Sequence, residues 1–160
     1  MAGWYRFAGV VVGLAVGLVV GLMLSVSVYA VDNNNSWKIE NARARATAPG
    51  QNAASVDFSI TSKHSAKLVG VSSPFAKTVE LHSMTHENGM MKMRAVQFIE
   101  LPAGKRVNLG ESGYHLMLSG LKKPLNVGDN VPLTLNLKVG NSPIVKVETR
   151  VEVTPLNAAR

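Results

Sequence analysis

The sequence predicts an all-β domain, a sandwich of about eight short strands. Apolar residues alternate with period two along many short runs, and turn residues separate those runs at even intervals. No long stretch beyond the amino-terminal leader carries a 3.6-residue apolar period. Val131, Leu133, Leu135, Leu137 and Val139 alternate with polar or Pro positions, and Val145, Val147, Val151 and Val153 do the same near the C-terminus. Gly140-Asn141-Ser142-Pro143 joins these two runs as a turn, which makes them a half-buried antiparallel pair. The earlier runs are Ala53–Ser62, Ala66–Ser72, Thr78–Met84, Met91–Phe98, Arg106–Leu109 and Tyr114–Ser119. Pro74, Asn88-Gly89, Pro102-Ala103-Gly104, Ser112-Gly113 and Pro124 punctuate them. Strands of this length and spacing bury one face each, and two packed sheets are the ordinary way to do so.

Four segments divide the 160 residues. Residues 1–30 are a leader, 31–36 a polar spacer, 37–155 the β-domain and 156–160 a short tail. From Phe7 to Val31 no side chain is charged, and the stretch is rich in Val, Leu, Gly and Ala after Trp4-Tyr5-Arg6. It reads as an export signal, with Val28-Tyr29-Ala30 at the usual cleavage positions and Asp32-Asn33-Asn34-Asn35-Ser36 beyond. The competing reading is an uncleaved transmembrane anchor, because 25 uncharged residues can cross a hydrocarbon core of roughly 30 Å. Gly9, Gly13, Gly17 and Gly21 recur every fourth residue, as at close-packed membrane helices. Both readings put the domain outside the cytoplasmic membrane, with Arg6 kept inside, so the expected location is the periplasm.

Composition excludes several functions. The chain has no cysteine, so disulfides, thiolate metal sites, thiol nucleophiles and Cys-containing blue-copper centres are ruled out. The formal charge is +7, yet Lys and Arg are scattered as in Lys105-Arg106 and Lys122-Lys123, with few aromatics beside them. That pattern argues against nucleic acid and fits a mildly basic face for an acidic protein partner. Asp57, Glu80, Glu87, Glu100, Glu111 and Asp129 are spread singly, and no nucleophile has a local motif, so no enzymatic activity is expected.

Soft metal ligands are concentrated instead. Outside the leader the methionines are Met84, Met90, Met91, Met93 and Met117, and all fall between Ser83 and Leu118. Three of the four histidines, His82, His86 and His115, fall in the same stretch; His64 lies in an expected turn. A single Met or His usually fills a core gap. Here placement argues otherwise, because His82 and Met84, and likewise His115 and Met117, are two residues apart on expected strands and so share a face. Leu116 and Leu118 take the opposite face, which leaves His115 and Met117 pointing away from the core. Thioether sulfur is a neutral soft donor that suits Cu(I) and binds Mg²⁺, Ca²⁺ and Zn²⁺ poorly, while imidazole suits copper in either oxidation state. Neither donor has to lose a proton once His is neutral, so Cu(I) loading should hold at neutral pH and fail as imidazole protonates.

The segments Val79-Glu80-Leu81-His82, Asn88-Gly89-Met90-Met91-Lys92-Met93-Arg94, Leu101-Pro102-Ala103-Gly104 and Gly113-Tyr114-His115-Leu116-Met117-Leu118-Ser119-Gly120-Leu121-Lys122 resemble those of the periplasmic copper chaperones called PCu(A)C. The spacing H-x10-M-x21-H-x-M runs through His82, Met93, His115 and Met117, and the likeness extends from about Trp37 to Val153. The resemblance implies a cupredoxin-like Greek-key β-sandwich, a monomer binding one Cu(I) through His82, Met93, His115 and Met117. It implies delivery towards the copper centre of cytochrome c oxidase subunit II, alongside Sco-type thioredoxin-fold proteins. Periplasmic copper storage or resistance is the alternative, and a metal-free interaction sandwich a weaker one. Arg43 departs from the family pattern, in which an aromatic residue is common near that position. Residues 154–160 carry no His or Met, so a tail-borne second copper site is not expected. Met84, His86, Met90 and Met91 are extra donors that either line a loop or form an auxiliary metal position.

Overall fold

A computed structural model describes residues 36–87, 89–110 and 113–155. The leader, most of the spacer and the 156–160 tail therefore lie outside the described residues. The described chain is all β, in ten strands: β1 Trp37–Arg45, β2 Ala53–Ser62, β3 Ala66–Ser72, β4 Thr78–Glu87, β5 Met90–Ala95, β6 Ile99–Leu101, β7 Arg106–Leu109, β8 Tyr114–Ser119, β9 Asn130–Val139 and β10 Val145–Thr154. Eight of them match the expected runs, several to the residue. The two additional strands are β1 and β6.

Their omission has physical causes. In β1 the apolar phase slips from Trp37 and Ile39 to Ala42 and Ala44, because a bulge falls between Glu40 and Arg43 and Asn41 takes a left-handed φ of 54°. A single run with one period therefore does not exist in the sequence. Strand β6 is three residues long, Ile99 and Leu101 buried about an exposed Glu100, which is too short to declare a period.

All ten strands share one continuous hydrogen-bonded sheet, in the order β5-β4-β8-β7-β2-β1-β10-β9-β3-β6, where two separate sheets were expected. The sheet is open and curls over itself. Ser62 at the end of β2 bridges to Ala103 just after β6, and Gly104 N–H donates to the Ser62 carbonyl at 2.7 Å, although β2 and β6 stand far apart in the strand order. Side chains from both halves then fill one interior. Val131, Leu133, Leu135 and Leu137 of β9 meet Val56, Phe58 and Ile60 of β2 and Leu116 and Leu118 of β8 in a single buried cluster. The interior thus has the two facing layers of a sandwich while the backbone ladder runs unbroken from one layer to the other.

Strands β4 and β8 sit near one end of this order, with β5 beyond them as an edge. Leu81, Leu116 and Leu118 point into the core and fix which face of these strands looks outward. Leu135 has no solvent-accessible surface, so Leu135→Ala should cost about 2–5 kcal/mol of stability, measured by urea unfolding.

Candidate metal site

The outward face of β4 and β8 is built by register. His82 lies directly opposite His115 in the antiparallel β4–β8 ladder, and Glu80 lies opposite Met117. Directly opposed residues point to one face with Cβ atoms about 4.5–5.5 Å apart, close enough for two imidazoles to share an ion. On the other side of β4 the ladder sets Ala95 opposite His82, Met93 opposite Met84 and Met91 opposite His86. Period two along each strand then places His82, Met84, His86, Met91, Met93, His115 and Met117 on the same face.

The four residues of the spacing motif do come to one face, with different geometry. His82 and His115 form the central rung. Met117 is the next outward residue along β8, and Met93 stands diagonally across from His82 on β5. Met84 is the neighbour of His82 on β4 itself, so the register gives it as good a claim on the pair as Met93. Met90 is different: it pairs with Glu87 and points to the opposite face. Both Glu87 and the cations Lys92 and Arg94 occupy that opposite face, joined at 2.8 Å and 3.5 Å. His64 lies in the bend after β2, where its N–H donates to Ser62 Oγ at 3.2 Å.

Burial grades along the face. His115 is 8% exposed, so it faces away from the leucine core yet is covered, where the sequence led us to expect an open side chain. His82 and Met117 are partly buried, while Met93 and Met91 are 47% and 56% exposed. Gly113 helps place His115. It has φ 83°, a left-handed conformation that favours glycine, and a Cβ there would come within 3.2 Å of the Met84 carbonyl, which β4 presents at this point.

Sequence reasoning counted Glu80 among isolated carboxylates, but its Oε2 lies 3.0 Å from His82 Nε2. A carboxylate can only accept, so neutral His82 carries its proton on Nε2 and keeps a lone pair on Nδ1. That Nδ1 is buried and has no hydrogen-bond partner. A buried nitrogen lone pair left without a donor costs free energy unless something else takes it. A metal ion would do so, and ligating histidines commonly hand their other nitrogen to a carboxylate in this way. The same period-two rule that paired His82 with Met84 would have found Glu80, which is two residues away on the other side.

Among the described residues, no three His, Cys, Asp or Glu side chains gather where they could hold a metal ion. The donors this face presents are imidazole and thioether, which together make a soft set. Arg43 belongs to another part of the surface. It lines a polar groove of about 450 Å³ with Asp57, Ser59, Arg106 and Asn108, in which Arg106 donates to Ser59 Oγ at 3.0 Å and Ser59 Oγ donates to Asn108 Oδ1 at 2.7 Å. Water and these polar neighbours accommodate a charge where an aromatic ring was expected.

Fold and face together define a small all-β domain with an imidazole and thioether site on its outer surface. The LpqE-like family, described as lipoproteins, has a profile that matches residues 37–151, and the chain belongs to that family. It is 32% identical over 114 residues to protein Lxx21020 of Leifsonia xyli subsp. xyli, named as a lipoprotein, covering 71% of this chain and 69% of that one. Its fold is that of PCuAC domains. The apo PmoF2 PCuAC domain superposes with a TM-score of 0.61 at 24% identity, over 77% of this chain and 93% of that one. Cu(I)-bound DR1885 from Deinococcus radiodurans gives 0.55 at 30% identity, over 70% and 74%. The apo form of DR1885 gives 0.53 at 31% identity, over 74% and 80%.

Long-range ¹⁵N NMR of the metal-free protein should find the His82 proton on Nε2. Glu80→Ala should release that preference and populate both tautomers; an unchanged His82 pattern would remove Glu80 from the site.

Proposed function

We propose that this protein is an exported Cu(I) carrier, a metallochaperone rather than an enzyme, which holds its ion with His82, His115, Met93 and Met117. The observation that carries the reading is the His82–His115 rung, with a buried Nδ1 that has no hydrogen-bond partner, flanked by thioethers on both sides. Likeness to DR1885, whose structure was determined with Cu(I), supports the choice of ion. Lipoprotein names in the family support export, in agreement with the apolar leader; this chain has no cysteine to carry a lipid, so any attachment to the membrane would be through the leader itself.

Two neutral nitrogen and two neutral sulfur donors leave the positive charge of the ion uncompensated. Binding is then selective without being permanent, because thiolates or a larger set of imidazoles on an acceptor compete well. Exposed Met93 is the first ligand an acceptor would displace, and covered His115 the last. The metal remains Cu(I) throughout, so the transfer needs no electron. By resemblance, the acceptor is the copper centre of cytochrome c oxidase subunit II, with a Sco-type thioredoxin-fold protein acting beside it.

Met93→Leu with Met117→Leu nearly conserves apolar volume, so the fold should persist while Cu(I) retention is lost. Metal analysis after anaerobic loading and desalting, with a thermal melt as the fold control, measures both. Copper held by the double variant as tightly as by the wild type, in competition with a chelator, would refute the assignment. A strain lacking the protein should lose oxidase activity at low copper; loss of growth only at high copper would instead point to protection.

A further inference from the structure

The β4–β5 hairpin carries more soft donors than one Cu(I) site needs. His86 lies directly opposite Met91, and Met84 directly opposite Met93, on the same face as the His82–His115 rung. The hairpin therefore presents two consecutive donor rungs, and one of their four residues, Met93, already belongs to the proposed primary site.

Burial makes this arrangement costly without a ligand. All six residues of β5 are exposed, His86 is exposed, and Met91 is 56% accessible. A methionine side chain left in water forfeits most of the roughly 1.5–3 kcal/mol its burial would contribute. The opposite face of the hairpin carries the Glu87, Lys92 and Arg94 ion cluster, with Met90 alone among the hairpin's soft donors beside it. The pleat gathers Met84, His86, Met91 and Met93 on one face, and sets the charges and Met90 on the other.

We propose that His86 and Met91 form a second, weaker Cu(I) position at the outer part of the hairpin, with Met84 and Met93 between it and the His82–His115 pair. This rests on the Cu(I)-carrier reading and extends it to the route by which the ion arrives and leaves. One imidazole and one thioether directly opposed supply two donors to an ion that accepts low coordination numbers. Met84 lies two residues from both His82 and His86 on the same face of β4, so it can exchange the ion between the two positions without release to water. Each step replaces one neutral donor by another, and no oxidant or reductant takes part.

The test is an anaerobic titration of the full protein with Cu(I), supplied as its acetonitrile complex against a chromogenic chelator, with methionine ¹³C-methyl NMR recorded in parallel. The wild-type protein should take one equivalent tightly and a second more weakly, and the Met91 and Met84 methyl signals should move with the second. His86→Ala with Met91→Leu changes only exposed side chains and should lose the second equivalent while keeping the first. Saturation of the wild type at one equivalent with an unmoved Met91 methyl would overturn the proposal, as would a second equivalent retained by the double variant. A wild-type protein that holds no Cu(I) would overturn the carrier reading itself, and the hairpin position with it.

Discussion

The pairing register of β4 with β8 is the constraint on which the site depends. His82 faces His115 across one rung, and the leucines at 81, 116 and 118 hold that rung in place by filling the core on the other face. A slip of one residue would send one imidazole inward and bury a polar ring among leucines, so the apolar face enforces the His and Met face. Gly113 adds a second lock, since its left-handed backbone just before β8 leaves no room for a side chain against the Met84 carbonyl.

Electrostatics on this face are modest and directional. Glu80 fixes the imidazole of His82 through Nε2 and leaves its buried Nδ1 without a hydrogen-bond partner. The remaining charges near the hairpin are on its far side, where Glu87 draws in Lys92 and Arg94. Lys122 and Lys123 lie beyond the opposite end of β8, where Lys123 Nζ rests 4.5 Å over the Phe75 ring. Lys92 and Arg94 on one side, and Lys122 and Lys123 on the other, are thus divided between the two ends of β4.

Much of this was legible in the sequence wherever a side-chain period was unbroken. β2, β3, β7, β8, β9 and β10 carry clean alternation or sharp turn signals, and the donor positions followed from the same rule. β1 was hidden because its bulge at Asn41 changes the apolar phase midway, and β6 because three residues cannot display a period. Continuity of the sheet was also out of reach, since the Ser62–Ala103 bridge depends on the curl of strands far apart in sequence. For the site, residue identities gave the shared face of each His and Met pair. Only the register could show that the pairs abut, that Met90 turns away and that Met84 stands beside His82.

Strand β5 is the last in the sheet on its side, so among the described residues its outer backbone groups have no neighbouring strand to bond. Such an edge invites another chain to add itself as the next strand, and a row of methionines would make the contact greasy. Lys92 and Arg94 oppose that outcome, because a second copy arriving edge to edge would bring the same cations against them. A domain of this design can therefore leave its thioethers in water without becoming the seed of its own aggregation.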